Sequence, residues 1–224
     1  MSIQSSYSDG FFNVSANHGF LPIKSPLVTL PKTYEDVQAV LDNMPVVLND
    51  NQNGYLHTEN GIVAPTLAIK NHLTNVENEQ DIFVLQALFR SYSFLASAYL
   101  LEPSFQQFRK DGKYGKARNV LPANIAQPFC KVAEKLKVFP WLDYHYAYSL
   151  GNYVKEDINQ GLRWDNLDMA CKFVGSLDEI GFIMVHVYIN EVSPELVDSV
   201  MKYGKVNSDS SYKGNIMCNE LYCV

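Results

Sequence analysis

Much that would mark this chain for a specialised role is scarce or missing. Its 224 residues hold four cysteines and two tryptophans, and 18 lysines and arginines are outnumbered by 24 aspartates and glutamates, for a net charge of −6. The shortage of positive charge argues against a broad basic face, so no nucleic-acid partner is expected. Cys130, Cys171, Cys218 and Cys223 form no CxxC pair and match no zinc-module spacing. They read as reduced thiols, two buried and two in a tail. The longest apolar run, Phe182–Ile189, contains a histidine and is far too short to cross a bilayer, so no membrane partner is expected. The opening MSIQSSYSDGFF lacks the charged and apolar regions of a secretory signal, which makes the cytosol the simplest location. No internal repeat or low-complexity tract stands out.

What is present is helical periodicity. Residues 1–32 carry prolines at 22, 26 and 31 and read as an extended arm laid over a core. Thr33 is placed to cap a helix over Tyr34–Asn43, with Glu35 and Asp36 in the first turn, where the helix dipole favours acids. Leu85, Leu88, Phe89, Tyr92, Leu95, Ala96 and Tyr99 recur at helical spacing and predict a helix over Ile82–Leu101, ended by Pro103. Arg109, Lys110, Lys113, Lys116 and Arg118, broken by glycines, read as a solvated basic loop. Pro128 suits the first turn of a helix running to Lys137, and a further helix is expected over Leu142–Lys155. Ser176 and Glu179 have capping-box spacing ahead of the apolar run, which tips FIMVHVYI from strand to helix. Ser193-Pro194-Glu195 opens another helix through about Tyr203. The fold class expected is all-α.

Three blocks, in order along the chain, resemble the indoleamine 2,3-dioxygenase family. They are GFLPIKSPLVTLP (19–31), ARNVLPANIAQPFCKVAEKLKVFPWLDY (117–144) and WDNLDMACKFVGSLDEIGFIMVHVYINE (164–191), with Asn152-Tyr153 standing where the family has an Asn-aromatic pair. The resemblance implies an all-α protein with a small N-terminal and a larger second helical domain. On that basis 1–32 is the Pro-rich arm, 33–140 the small domain, 141–204 the start of the haem-pocket domain, and 205–224 a tail unlike the family. It implies haem b as cofactor, and L-tryptophan or another indole with O2 as substrates, the product being N-formylkynurenine. The hard chemistry in such a protein belongs to the cofactor.

The same resemblance assigns a substrate-side pocket. His186 falls at a position facing the substrate side of the haem, where some members have histidine and many have serine. A neutral imidazole can accept a hydrogen bond from an indole N–H while its other nitrogen donates. Phe182 and Ile183 lie one helical turn earlier and are expected on the same face; the alternative is that His186 is a satisfied core histidine. The segment LDYHYAYSLGN is one residue longer than the family spacing. Counting from Pro140 puts Tyr144 in the pocket-facing aromatic position; counting back from Asn152 puts His145 there, with Tyr148 and Ser149 at the next pocket positions. None of His18, His57, His72, His145 and His186 matches the family's proximal motif. The resemblance therefore implies that the iron-ligating region is not within these 224 residues. The alternative function is a binding or regulatory protein without haem.

Overall fold

The computed structural model describes residues 14–208. Its spine is α4 (Ile82–Asp111), started by the Asp81 carboxylate, which accepts from the Phe83 N–H at 2.8 Å. The sequence suggested one apolar stripe, but Val84 through Ala96 are buried without a break, so this helix is enclosed on all sides. Against it pack α1 (Glu35–Asp42), α2 (Val63–Ala68) and α5 (Ala123–Leu136), and α3 (Leu73–Asn78) packs on α5. Phe129 of α5 sits between Phe89 and Tyr92, with ring centroids 5.8 and 6.4 Å away.

The helix does not end at Pro103. It continues through it for two further turns, because the hydrogen bonding that the proline disrupts is made good from elsewhere. Proline has no N–H to give to the carbonyl four residues back. The Arg118 guanidinium donates to that carbonyl, on Tyr99, while the Arg118 backbone N–H donates to Leu100 O at 2.8 Å. The same guanidinium meets the buried Glu102 carboxylate at 2.7 Å. Gly112, in the left-handed region (φ 74°), ends the helix and turns the chain back along it. The basic loop is thus partly tied down: Arg109 donates to His57 O at 2.7 Å and Lys110 pairs with Glu59 at 2.7 Å, while Lys113 and Lys116 are exposed.

Two other helix starts differ from expectation. Thr33 caps nothing; a 3-10 turn over Lys32–Tyr34 buries the Tyr34 ring, and α1 begins after it without a side-chain cap. Helix α5 starts at Ala123, and Pro128 lies inside it rather than in its first turn. Buried Ile125, Pro128 and Phe129 hold that early turn, and Asn124 Nδ2 donates to Thr66 O and Ile69 O at 2.9 and 2.8 Å. Cys171 is buried as expected, but Cys130 is exposed on the outer side of α5. Cys218 and Cys223 lie outside the described residues.

The expected helix over Leu142–Lys155 is replaced by a π-helix (Tyr144–Leu150) and a short strand. The strand β1 (Tyr153–Lys155) pairs antiparallel with β2 (Leu167–Met169), Tyr153 opposite Met169. Then come α6 (Leu177–Ile189) and α7 (Ser193–Ser208), the latter running beyond the expected end at Tyr203. Ser176 Oγ accepts from the Glu179 N–H at 3.2 Å, as the capping-box spacing predicts. Ile183, Met184 and Val187 of α6 form a second, smaller core with Leu150, Tyr153, Leu167 and Met169. With only one two-stranded ladder among the described residues, the fold is all-α. No helix among them is long and apolar enough to cross a membrane.

Candidate substrate-side face

The π-helix begins under a carboxylate. Asp143 accepts from the N–H groups of Tyr146 (2.7 Å) and Ala147 (3.3 Å). Its backbone bonds reach five residues back, Tyr148 N–H to Asp143 O at 3.1 Å and Gly151 N–H to Tyr146 O at 2.8 Å. A turn closed at five residues instead of four holds more chain than an α-turn does. Both ways of counting therefore lead to residues of one wide-turned segment.

Tyr144, at its start, reaches α6. Its hydroxyl is 3.3 Å from His186 Nε2 and 3.5 Å from Nδ1, the rings meeting edge-on at 5.4 Å. His186 Nδ1 is 2.9 Å from Phe182 O. In the neutral ring Nδ1 therefore carries the hydrogen and donates, and Nε2 is the acceptor. Phe182 packs edge-on against the imidazole at 5.7 Å. Phe182 is 64% exposed and Tyr144 45%, so the three side chains form an open aromatic face around one acceptor nitrogen.

Ile183 is not on that face. It stands about 100° round the helix from Phe182 and is wholly buried in the second core. Tyr148 is half-buried behind Tyr144, their rings 5.9 Å apart, and it also touches Phe94 and Phe173. Burial first, and then the neighbouring Glu179 carboxylate, push its phenol well above the ordinary tyrosine range. Ser149 is buried, and its hydroxyl has no hydrogen-bond partner among the described residues. His145 points away from the buried side, and burial first, against the opposing pull of Asp143, lowers its pKa.

Three residues support the face in ways that no motif signals. Glu179 lies beneath the face: its carboxylate accepts from the N–H groups of Phe173, Val174 and Gly175 at 2.8, 2.9 and 2.8 Å and from the Tyr148 hydroxyl at 3.3 Å. Asn152, wholly buried, accepts from the Cys171 N–H at 2.8 Å and donates to Cys171 O at 2.9 Å, fastening the end of the π-helix to the segment that follows β2. Arg90, in the middle of α4, donates to Gly151 O at 2.8 Å and Leu27 O at 2.7 Å. It joins the arm, the spine and the π-helix by carbonyl contacts. An arginine inside the apolar run FVLQALFRSYSFL is the one hint the sequence offers of this.

The family model for indoleamine 2,3-dioxygenase matches residues 9–218, nearly the whole chain. The chain belongs to the indoleamine 2,3-dioxygenase family. It is 28% identical to indoleamine 2,3-dioxygenase 1 of Mus musculus over 179 residues, which is 78% of this chain and 38% of the relative. It is 25% identical to the Rattus norvegicus protein of the same name over 189 residues, 84% of this chain and 41% of the relative. It is 27% identical to indoleamine 2,3-dioxygenase nanC of Aspergillus nanangensis over 214 residues, 92% of this chain and 45% of the relative. The chain thus spans about two fifths of the length of the relatives it matches.

The family resemblance brings haem with it, and the residues present fit one side of that group only. The open aromatic face suits the flat apolar surface of a porphyrin, with an acceptor nitrogen beside it. An iron ligand is harder to assign. His72 is buried and held by Asp36 at 2.7 Å, while His186, with Nδ1 on Phe182 O, keeps Nε2 available on the open face. No cluster of three or more His, Cys, Asp or Glu side chains that could hold a metal occurs among the described residues.

Proposed function

We propose that this chain supplies the substrate-side wall of a haem-dependent dioxygenase that opens the indole ring of L-tryptophan or a related indole. The observation that carries the reading is the acceptor state of His186 Nε2 on the open face between Phe182 and Tyr144. In this reading the indole lies against Phe182 and Tyr144, and its N–H replaces the Tyr144 hydroxyl as donor to Nε2. Ile183 packs behind Phe182 and fixes the helix that presents it. Tyr148 and the Ser149 hydroxyl lie along the π-helix beside the same site. Haem b, when bound, supplies the activation of O2, and Tyr144, Phe182 and His186 would lie on its substrate side. The rest of the work of this chain is to orient the indole and keep water from it.

The test has two arms. The 224-residue protein is titrated with haem and assayed for N-formylkynurenine, and its ferrous–CO spectrum is recorded. Weak haem binding without turnover is expected, because an iron poised for O2 needs one strong protein ligand held by its neighbours. A sharp ferrous–CO spectrum with turnover would mean that one of the five histidines ligates iron. In the second arm, tryptophan and its N1-methyl analogue are compared on wild type and His186→Ala. Wild type should prefer tryptophan, and the variant should lose about 1 kcal/mol of that preference. Equal discrimination in both would remove the hydrogen bond to His186.

A second reading is an indole-binding protein that works without haem. The exposed Phe182–Tyr144 face is the observation behind it, and saturable tryptophan binding by haem-free protein would be its signature.

A further inference from the structure

A second cavity lies on the other side of Phe173, where α4 passes Pro103. It measures about 280 Å³ and is walled by Leu56, Ala98, Leu101, Phe105, Phe173 and Val174. Ser97 and Ser104 complete an almost wholly apolar lining, and Tyr114 stands at it, 78% exposed and stacked on Phe108 at 4.7 Å. Two features hold it open. The loop after Gly112 is clamped along α4 by Arg118, which takes up the carbonyls of Tyr99 and Leu100, and by Gly115, where a Cβ would come within 2.9 Å of Gln107 Cβ. On the opposite side, the peptide N–H groups of Phe173 and Val174 are fixed by Glu179.

We propose that this cavity is a small-molecule site for an uncharged, apolar ligand about the size of two fused rings. Size sets the first part: an apolar cavity of roughly 150 Å³ accepts one benzene ring, and this one is nearly twice that. Charge sets the second. The only ionisable carboxylate at the lining, Glu102, is spent on Arg118 and on the Asn60 N–H at 2.7 Å. An ionised ligand would enter an apolar space with no counter-ion facing it. This site shares only the Phe173–Val174 wall with the substrate-side face and does not depend on the haem reading.

The probe is 2-naphthol, titrated into the ¹⁵N-labelled 224-residue protein, with 2-naphthoate as the ionised counterpart. Saturable shifts centred on Ser97–Phe105 and on Phe173–Val174 are expected, with 2-naphthoate at least ten-fold weaker. Ala98→Leu fills the cavity and should abolish the 2-naphthol shifts; Ser104→Ala keeps the volume and should leave binding within about two-fold of wild type. Spectra and melting curves verify that both variants fold. Should Ala98→Leu not fold, Ser97→Leu fills the same space. The proposal is overturned if no saturable shifts arise in these segments, if a folded filled variant binds as well as wild type, or if 2-naphthoate binds equally.

Discussion

The Tyr148 hydroxyl donates to Glu179 Oε1 at 3.3 Å, onto a carboxylate that three consecutive peptide N–H groups already engage. One side chain on the first turn of α6 thereby holds the loop before its own helix and the π-helix beside it.

Glu179→Gln keeps the shape of that side chain but turns an NH2 group toward N–H donors. A buried donor left unpaired costs about 1–3 kcal/mol. A fall in melting temperature of about 4–8 °C follows for a chain of this size. Tyr148→Phe removes one donor of four and should cost about 1 kcal/mol or less. Circular-dichroism melts of the two variants check the order.

Acid should act first through Asp36. Partial burial opposes ionisation of this carboxyl, but the Lys70 N–H and then His72 outweigh it and hold the pKa below the usual 3.8. Because the folded value is the lower one, the contribution to stability is fully present above the unfolded pKa and is lost as pH falls through the folded one. Asp36→Asn should lower stability at neutral pH and flatten the loss between about pH 5 and pH 2. Urea midpoints of wild type and variant across that range would show it; parallel pH profiles would remove Asp36 from the account.

Alkali acts through buried phenols. Burial, then Glu79, raises Tyr34 to about 12, and burial raises Tyr92, Tyr148 and Tyr153 as well. The unfolded chain ionises these groups near pH 10, before the folded one does. The stability they contribute is thus complete below pH 10 and is lost as pH rises toward the folded values. Titration of tyrosinate absorbance at 295 nm should show Tyr34, Tyr92, Tyr148 and Tyr153 as a late group that appears only with unfolding.

Pro103 and Arg118 should be energetically coupled. Pro103→Ala restores an N–H for the Tyr99 carbonyl, so Arg118→Met should be less damaging in that background than in wild type. The double-mutant cycle is expected to give about 1 kcal/mol of coupling. Simple additivity would mean that the Arg118–Glu102 pair, not the carbonyl contact, is what matters at Arg118.

These pairs also explain how far the chain could be read in advance. The Ser176–Glu179 spacing is local, and it correctly gave the start of α6. The length of α4 was misjudged because its continuation past Pro103 depends on Arg118, fifteen positions later, approaching from a separate loop. The face around His186 was legible in part: Phe182 and Tyr144 meet the imidazole, but the helical phase turns Ile183 into the core. Arg90 and Asn152 act on main-chain carbonyl and amide groups, which no side-chain pattern reports. The π-helix was missed for a related reason, since residue types that form an α-turn also form the wider one.

That wider turn changes what an added residue does to the chain. In an ordinary helix one extra residue rotates everything downstream by about 100°, and Asn152 would lose its grip on Cys171. Here the turns between Asp143 and Gly151 already close at five residues, so a change of one residue can be met by a change of winding. The strand pair and α6 keep their phase, and length can vary at this point without re-addressing the side chains beyond it. Removing one residue from 144–148 should accordingly yield a regular α-turn and a folded protein, whereas a deletion between Asn152 and Cys171 has no such slack to draw on.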